Sequence, residues 1–334
     1  MRRLPPQTPL AYLIGDILSK TNLTKEIEKV EERIRTQADE RHPDLRVALE
    51  TLLASGGKRV RPKLVLLMGN MLGADKERLI TLAAAIEMLH TATLVHDDLI
   101  DGSLMRRGNE TINANWTPAA TVLTGDFIFA RAAKLAAQTG SLTVMEEFAE
   151  TLAIMVNGEL TQMFDARGLA NRENYYGRIY AKTGSLFELS THGAAIISPI
   201  DPETVKKARN FGRELGTAFQ IVDDILDFTG DQAAVGKPVG SDLSQGLITL
   251  PALYYIEANP KNERVKSLLQ GNYHNSKEIA LLVEDIRQSD AIQLALDEAK
   301  KYANRALESL NGQAPSEERF ALESLAEYVT NRDV

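Results

Sequence analysis

The sequence predicts an all-α fold on three observations. Between residues 62 and 199 the only proline is Pro118, and because proline is poorly tolerated inside helices, this spacing permits long helical segments. Apolar residues recur at helical spacing near both ends of the chain, in 23–34 and in 294–309. The sequence shows no convincing period-2 strand pattern and no βαβ alternation. We therefore expect one all-helical domain over residues 1–334, with at least about ten helices.

The predicted helices follow one another along the chain with only short breaks between them. The first shows apolar residues at steps of four, three and four over 23–34, with charged residues on its other faces. Two later apolar patterns lead into 94–101 and 220–227, and a last one spans 294–309. Because helical patterning resumes after each break, we expect no interdomain linker. The expected breaks are 55–57, 102–108, 198–202, 230–246 and 259–262.

Composition excludes several classes of function. The 334 residues include no cysteine, which excludes disulfides, thiolate metal sites, iron–sulfur clusters and cysteine nucleophiles. The formal net charge of −8 argues against nucleic-acid binding, although divalent metals can hold anionic substrates on an acidic protein. The longest unbroken apolar run has five residues, and prolines interrupt the N-terminus. We therefore expect no membrane-spanning segment and a cytoplasmic location.

The pattern Asp-Asp-x-x-Asp occurs twice, at 97–101 and at 223–227, each time at the end of an apolar helical pattern. On a helix, residues four apart share one face, so the first and last aspartates of each copy project together. Such like charges are unfavourable without a cation, and an all-oxygen ligand set favours Mg²⁺ or Mn²⁺ over Zn²⁺. One copy alone reads equally well as a solvated helix end, whereas two copies favour a metal site.

Basic clusters complement these acidic motifs. Gly56-Gly57-Lys58-Arg59-Val60-Arg61-Pro62 places three cations after a glycine turn, and Arg106-Arg107-Gly108 follows the first acidic motif. Arginine forks suit phosphate oxygens, and lysine acts as a point charge. A basic run is usually only a solvated surface. Together with two metal-ready carboxylate motifs, it predicts a site that holds diphosphates through metals and through direct cation contacts.

In this order, the motifs resemble those of the trans-polyprenyl diphosphate synthase family. The resemblance rests on GGKRVRP, DDLID followed by RRG, Lys182-Thr183, FQIVDDILDF and Gly236-Lys237, and it covers residues 56 to about 251. GKPVGSDLSQG and TLPALYY are similar to segments of long-chain members, including the catalytic component of heptaprenyl diphosphate synthases. The implied fold is a single large helical bundle of the isoprenoid synthase type, with a central cavity.

The resemblance implies a Mg²⁺-dependent prenyl transfer. Isopentenyl diphosphate would condense head-to-tail with an allylic diphosphate to give a linear all-trans polyprenyl diphosphate. Three Mg²⁺ ions are implied, with Mn²⁺ as the alternative. Metals and cations would neutralise charge on the departing diphosphate. No protein general base is evident, so the released diphosphate is the expected proton acceptor.

Individual residues take their expected roles from the same resemblance. The metal ligands are Asp97 and Asp101 of the first motif and Asp223 and Asp227 of the second. The catalytic set is Asp97, Asp98, Asp101, Arg106, Lys182, Asp223 and Asp224. Contacts to isopentenyl diphosphate are implied for Lys58, Arg61, His90 and Arg107. Contacts to the allylic diphosphate, or to its departure, are implied for Arg106, Lys182, Thr183, Gln220 and Lys237. This chain departs from many relatives at Leu247, where they carry a polar residue, often lysine.

His90 needs a separate comparison with the other four histidines. It shares a helix face with the first acidic motif, seven residues before Asp97. A lone histidine on such a face is more often a packing residue, but its position beside the site favours a binding role for His90 alone. Glu87-x-x-His90 would also suit a di-iron bundle, which requires a second such pair that the sequence lacks.

Small residues before the first acidic motif predict a long product. With the diphosphate at Asp97 and Asp101, the hydrocarbon tail would run past Thr93 and Ala92, where short-chain relatives carry aromatic residues that form a floor. Both positions are small here, so we expect the tunnel to continue and the product to be C30–C40. Phe148 is the candidate for a deeper floor. A geranylgeranyl (C20) product is the alternative.

Other functions fit the motifs less well, and the expected partners are few. A terpene cyclase would pair one such acidic motif with a different second metal motif, and a non-catalytic subunit should have lost acidic ligands that this chain retains. We expect a homodimer formed through the N-terminal amphipathic segments. A small regulatory subunit is expected only if the chain is the catalytic subunit of a two-component synthase that is inactive alone. We expect no nucleic-acid partner and at most transient membrane contact during product release.

Overall fold

The structure is a computed structural model that describes residues 23–39, 42–54, 56–106, 108–164, 170–230, 239–271 and 275–331. Helices dominate this part of the chain, as the proline spacing and the apolar periodicity predict. The α-helices are α1 Leu23–Arg35, α2 Pro43–Ala54, α3 Val60–Met71, α4 Lys76–Ile100, α5 Ile112–Asn115, α6 Pro118–Gln138, α7 Leu142–Phe164, α8 Arg172–Ile179, α9 Ser185–Ile196, α10 Pro202–Thr229, α11 Ser241–Ser244, α12 Leu250–Ala258, α13 Glu263–Leu269, α14 Ser276–Arg287, α15 Ala291–Ser309 and α16 Glu317–Thr330.

Short non-helical segments separate these helices. Within the described residues, the one β-hairpin pairs Met105–Arg106 (β1) antiparallel with Asn109–Glu110 (β2), and two-residue strands are too short to show a period-2 pattern. The described residues of the five expected breaks are non-helical with two exceptions. Pro202, at the end of the break 198–202, begins α10, and α11 lies inside the break 230–246. Breaks at 72–75 and 139–141 were not predicted. Each contains a glycine at positive φ, Gly73 or Gly140, that ends the preceding helix.

The chain divides into two compact units. The first comprises Met1–Glu150, Leu189–Arg209 and Gln313–Leu322, and the second comprises Thr151–Glu188, Asn210–Gly312 and Glu323–Val334. The first acidic motif belongs to unit 1, and the second belongs to unit 2. The expectation of a single domain over residues 1–334 stays a prediction.

Helix α4 forms the core of unit 1. It packs against α6, α3 and α1, and the side chains from Leu79 to Leu89 are buried. This helix corrects the expectation based on unbroken apolar runs, because by length and mean hydropathy α4 is apolar enough to cross a membrane. The run count missed it because Thr81, Glu87 and His90 interrupt the apolar sequence. In the structure 72% of its most apolar window is buried inside the protein, so core packing accounts for the composition.

Helix α1 also packs within unit 1. Its apolar stripe at Leu23, Val30 and Ile34 is at most 2% exposed. The described part of the N-terminal segment therefore covers its apolar face with its own chain. Ile27 of the same stripe is half-buried and residues 1–22 lie outside the described residues, so the expected dimer contact through the N-terminal segments stays a prediction.

In unit 2, close backbone packing joins α10 to the π-helical turn Tyr180–Gly184 that follows α8. A Cβ atom on Gly216 would lie 2.9 Å from the Cα of Gly184 and 2.7 Å from the Cβ of Phe187. Only glycine permits this approach, because real Cβ atoms do not come so near to backbone atoms. Lys182 and Thr183 lie on this turn, so the contact determines where α10 meets two of the expected site residues.

Candidate active site

The first acidic motif lies at the C-terminal end of α4, as the sequence predicts. Asp97 is half-buried, Asp98 is 6% exposed, and Asp101 is the exposed residue that caps the helix. The backbone N–H of Asp101 donates to the carbonyl of Asp97 at 2.8 Å, and Gly102 follows at a φ of 63°. The helical spacing places Asp97 and Asp101 on one face.

Asp98 and Arg106 form an ion pair at this helix end. Both Nε and Nη2 of Arg106 lie 2.8 Å from Oδ1 of Asp98. Burial removes water from the Asp98 carboxylate, and the ion pair with the guanidinium offsets that loss of hydration. The pair ties strand β1 to the end of α4. This geometry suits Asp98 to positioning Arg106. The predicted metal ligands of the same motif are its neighbours Asp97 and Asp101.

Arg59, the middle cation of GGKRVRP, has a structural position. It has the left-handed backbone conformation, with a φ of 48°, and its side chain is 12% exposed. Its Nε donates to Glu31 at 3.0 Å, its Nη1 donates to Glu87 at 3.0 Å, and its Nη2 donates to the carbonyl of Leu53 at 3.0 Å. Glu87 is therefore a partner of Arg59, which accounts for the Glu87-x-x-His90 spacing without a metal. The flanking Lys58 is exposed, and Arg61 is half-buried.

Sequence reasoning missed Lys63, on the first turn of α3. Its Nζ donates to the carbonyl of Lys58 at 2.6 Å and so holds the turn that carries Lys58. Burial lowers the pKa of Lys63, nearby Arg59 acts in the same direction, and Glu87 partly opposes both effects; together they bring the pKa from 10.5 to about 8. The signal in the sequence is a fourth cation four residues after Arg59, which helical spacing places one turn away.

The lowered pKa of Lys63 makes stability depend on pH. Between pH 8 and 10.5 the unfolded chain binds more protons at this lysine than the folded chain, so folded stability rises with pH in that window. We expect urea unfolding to show wild type gaining stability relative to Lys63→Met as the pH rises from 8 to 10.5. Lys206→Met, at an exposed position of α10, is the matched control. A Lys63→Met difference that stays constant over this range contradicts the assignment.

The remaining expected residues of unit 1 lie along α4 and α7. His90 and Thr93 are half-buried on the motif's helix, and Thr93 Oγ1 donates to the carbonyl of His90 at 2.8 Å. Ala92 and Phe148 are buried, at 0% and 1% exposure. His96 has packing contacts: its Nε2 lies 3.2 Å from the carbonyl oxygen of Val122, and its ring centroid lies 5.3 Å from that of Phe129.

The second acidic motif lies on α10, where Asp224 is the centre of a hydrogen-bonded network in unit 2. Tyr175 Oη donates to Asp224 Oδ2 at 2.7 Å, and Gln220 Nε2 donates to Asp224 Oδ1 at 2.8 Å. Thr183 Oγ1 extends the network by donating to Gln220 Oε1 at 2.6 Å. The structure thus brings together three expected residues, Thr183, Gln220 and Asp224. Sequence reasoning missed Tyr175. The signal for it in the sequence is its spacing of seven residues, or two helical turns, before Lys182, which places both residues on the same helix face.

Burial dominates the electrostatics of Asp224. It raises the pKa of this carboxyl, the charge of Asp242 acts in the same direction, and the pKa that results from all the effects together is about 7. The hydrogen bonds from Gln220 and Tyr175, and the charge of Arg178, act in the opposite direction. Burial and the neighbouring Asp224 also raise the pKa of Tyr175 well above its ordinary value, so Tyr175 stays a hydrogen-bond donor.

Asp227 closes the motif by anchoring the segment that leads into α11. Its Oδ1 accepts hydrogen bonds from Ser241 Oγ at 2.7 Å and from Ser241 N at 3.2 Å, and its Oδ2 accepts one from Asp242 N at 3.2 Å. Asp223, the motif's first residue, is half-buried. The carboxylate of Asp227 therefore fixes the backbone at the start of α11 in addition to any role toward a cation.

A cleft of about 320 Å³, which includes space open to solvent, lies beside this network in unit 2. Two of the expected residues besides Asp224 face it, Lys182 and Gln220. Leu247 also lines it, so the departure from the family pattern places an apolar side chain in the cleft. The full lining is Gln162, Arg178, Ile179, Lys182, Gln220, Asp224, Asp242, Leu247 and Thr249.

The carboxylates present fit divalent metals by their chemistry. No group of three or more histidine, aspartate or glutamate side chains converges as a metal cage in the part of the chain that the structure describes. Mg²⁺ does not need such a cage, because it usually binds one or two carboxylates and completes its octahedron with water and substrate phosphates. The aspartate pairs of the two motifs suit that mode. The expected diphosphate contacts Arg107 and Lys237 lie outside the described residues.

Comparisons with known proteins identify the family and support the fold. The polyprenyl synthetase family model matches residues 42–286. The chain is 37% identical over 314 residues to heptaprenyl diphosphate synthase component 2 of Geobacillus stearothermophilus, covering 93% of this chain and 97% of the relative. It is also 37% identical over 286 residues to octaprenyl diphosphate synthase of Escherichia coli (strain K12), covering 84% and 88%.

A solved structure extends the agreement to three dimensions. The crystal structure of heptaprenyl diphosphate synthase from Staphylococcus aureus matches with a TM-score of 0.88 and 36% identity, covering 94% of this chain and 100% of that one. The all-α isoprenoid synthase fold expected from the sequence is thereby confirmed. The chain belongs to the polyprenyl synthetase family and is an enzyme that transfers prenyl groups.

Proposed function

We propose that this chain condenses isopentenyl diphosphate with an allylic diphosphate, head-to-tail, to make a linear all-trans polyprenyl diphosphate of C30–C40. The observation that carries the proposal is the pair of acidic motifs at the ends of long helices, the second built into the network of Thr183, Gln220, Asp224 and Tyr175. The heptaprenyl and octaprenyl relatives support this product range.

The reaction requires the allylic C–O bond to break with its electron pair passing to the diphosphate. The double bond of isopentenyl diphosphate then attacks the allylic carbon, and loss of a proton restores an alkene. Lys182 and Arg106 stabilise charge on the departing diphosphate. Released diphosphate accepts the proton, because the expected site residues include no general base. The buried side of each motif excludes water that would otherwise trap the allylic cation.

Members of the family use a divalent metal. In this chain we assign Mg²⁺ to Asp97 and Asp101 and to Asp223 and Asp227, as three ions, with Mn²⁺ as the substitute. The metal supplies charge neutralisation for the diphosphate oxygens. The helical spacing of each aspartate pair and the all-oxygen donor set support this assignment.

The substrates divide between the remaining expected residues. Lys58, Arg61 and His90 bind isopentenyl diphosphate, and Arg107 completes this group. Lys58 is exposed, and Lys63 fixes the turn that carries it, which supports a direct contact with a charged substrate. Contacts to the allylic diphosphate come from Arg106, Lys182, Thr183, Gln220 and Lys237.

Chain length is determined in this proposal by the small residues before the first motif. Replacing Ala92 by phenylalanine is expected to shorten the product to C20 or less, because a ring at this buried position closes the tunnel. Products are sized by mass spectrometry after incubation with isopentenyl and farnesyl diphosphates. Ala149→Phe, at an exposed position of α7, is the matched control. An unchanged product from Ala92→Phe would falsify the tunnel assignment.

The same tunnel account assigns the deeper floor to Phe148. Its side chain is 1% exposed, so it is buried in unit 1 as a floor requires. A product limited to C20 in wild type would instead favour the geranylgeranyl alternative.

An exposed apolar stripe on α7 supports assembly as a homodimer. Val156, Leu160 and Met163 follow one another at steps of four and three, and they are 50%, 48% and 43% exposed. Such a stripe on one helix suits burial against a second copy of the chain. We propose this stripe as a dimer contact in addition to the N-terminal segments.

Two further partners follow from specific observations. Ile100, Leu104 and Met105 beside the first motif are 48%, 58% and 58% exposed, which supports transient membrane contact during release of a long product. The similarity to heptaprenyl diphosphate synthase component 2 supports the second candidate function, the catalytic subunit of a two-component synthase that needs a small regulatory subunit. A cytoplasmic location fits both candidates.

Diphosphate release in the presence and absence of Mg²⁺ tests the proposed reaction. The purified chain is incubated with farnesyl and isopentenyl diphosphates, and the released inorganic diphosphate is measured. We expect release that depends on both substrates, disappears with a chelator and returns with Mg²⁺ or Mn²⁺. Release that continues without isopentenyl diphosphate would indicate hydrolysis instead of condensation, and the proposal would be wrong.

A further inference from the structure

Among the side chains of the cleft in unit 2 to which the proposed reaction gives no role are Arg178 and Thr249. Lys182 and Gln220 in the same cleft already serve the allylic diphosphate in the proposal. Arg178 lies on α8 four residues before Lys182, so the two cations occupy neighbouring turns. The cleft thus has more positive and hydrogen-bonding groups than the proposal uses.

Thr249 has a buried hydroxyl that has no hydrogen-bond partner among the described residues. The residue is 4% exposed, and its Oγ1 makes no hydrogen bond to any residue that the structure describes. It is also the N-cap residue of α12, yet its side chain accepts no hydrogen bond from that helix. Threonine at this position ordinarily caps the first turn, and buried polar atoms are almost always paired. A buried hydroxyl that does not cap its helix, on a residue that lines a cleft, points to a ligand.

Arg178 is fixed at the same place. Its Nη2 donates to the carbonyl of Ile248 at 2.7 Å, directly before Thr249 in the chain, and its Cζ lies 5.7 Å from the centre of the Tyr175 ring. Among the described residues no carboxylate forms an ion pair with it. A guanidinium has five N–H donors in a planar fork, and these two contacts occupy only part of that capacity.

The carboxylate of Asp224, one of the two acidic side chains that line the cleft, is already engaged by neighbours. Asp224 accepts hydrogen bonds from Tyr175 and Gln220 on its two oxygens. The backbone N–H of Asp242 is bonded to Asp227, which holds this residue at the start of α11. Arg178, Lys182 and Thr249 line the same cleft, and a guanidinium, an ammonium group and a hydroxyl together suit the oxygens of a phosphate group.

We propose that Arg178 and Thr249 bind a phosphate group of the allylic diphosphate, alongside Lys182, and so help to determine affinity for that substrate. The inference rests on the proposed function for the identity of the diphosphate. The guanidinium of Arg178 donates hydrogen bonds to two phosphate oxygens, and the hydroxyl of Thr249 donates a hydrogen bond to a third. Leu247 contributes only an apolar wall, so Arg178 is the cation on this side of the cleft.

Substrate kinetics and inorganic pyrophosphate binding test the inference together. Arg178→Met is expected to raise KM for farnesyl diphosphate, and Kd for inorganic pyrophosphate with Mg²⁺, by about tenfold or more, as for loss of a charged hydrogen bond. KM for isopentenyl diphosphate should change by less than about twofold. Arg178→Lys should restore part of the affinity, because it keeps the charge and loses the fork.

Thr249→Val gives a readout that a structural role would not produce. Replacing an unpaired buried hydroxyl by a methyl group should leave the free protein at least as stable as wild type, while pyrophosphate binding weakens several-fold. A structural hydroxyl would instead lower the stability of the free protein. Thr249→Val also keeps the test decisive if Arg178→Met does not fold. Arg264→Gln, which removes a half-buried arginine that pairs with Glu278 and Asp285 of α14, is the matched control.

Two results would overturn the inference. The first is unchanged pyrophosphate affinity in Thr249→Val and Arg178→Lys. The second is a loss of kcat in these variants with KM for farnesyl diphosphate unaltered. Failure of the proposed function is distinguishable, because wild type would then form no prenyl product, whereas the pyrophosphate comparison needs no turnover.

Discussion

Replacing Asp97 by asparagine is expected to lower kcat by about 10³-fold, and replacing Asp223 should have an effect of the same order. Asparagine keeps the shape of the side chain but removes one negative charge from each carboxylate pair. A neutral amide is a poor ligand for a hard divalent cation, so charge on the departing diphosphate is less well neutralised. The measurement is steady-state condensation with farnesyl and isopentenyl diphosphates at several Mg²⁺ concentrations.

The magnesium dependence makes this result specific. We expect the Mg²⁺ concentration for half-maximal rate to rise in Asp97→Asn, with unchanged circular dichroism. Asp297→Asn, an exposed aspartate on α15, is the matched control and should keep wild-type kinetics. If Asp97→Asn retained more than about a tenth of kcat at the wild-type Mg²⁺ dependence, the metal assignment would be contradicted.

Replacing Arg59 by methionine is expected to destabilise the protein by about 3–5 kcal/mol. Arg59 is 12% exposed in its side chain and joins three elements, through Glu31 of α1, Leu53 of α2 and Glu87 of α4. Glu87 is 5% exposed, so removal of the guanidinium leaves a buried carboxylate without compensation. The measurement is the urea unfolding midpoint together with its slope.

A second substitution separates the charge effect from lost packing. Arg59→Met combined with Glu87→Gln should recover part of the loss, because the buried charge is then removed with its partner. Arg46→Met, which removes an exposed ion pair with Glu50, should change stability by less than about 1 kcal/mol. A loss of that small size in Arg59→Met would show that the three contacts do not hold these elements together.

The fold could be predicted from the sequence because its signals are local. Apolar periodicity predicts α1 and α15, and the scarcity of proline between residues 62 and 199 permits the long helices α4 and α7. The same local reasoning failed at Gly73 and Gly140, where a single glycine ends a helix. It also failed to identify α4 as a strongly apolar segment, because scattered polar residues break its apolar runs although its mean hydropathy is high.

The candidate site was predictable only where its chemistry is contained in short motifs. Both acidic motifs lie at the helical positions that their spacing implies. The network around Asp224 was not predictable, because Tyr175 and Asp224 are 49 residues apart in the chain. The role of Arg59 likewise depends on Glu87, 28 residues away, and on a left-handed backbone that no sequence pattern indicates. Contacts between distant segments require the tertiary structure.

Sizing the products of the purified chain alone tests the central claim most directly. The chain is incubated with Mg²⁺, isopentenyl diphosphate and farnesyl diphosphate, and the products are analysed by mass spectrometry. The account predicts all-trans polyprenyl diphosphates of C30–C40. Absence of any prenyl product, together with absence of diphosphate binding, would contradict it.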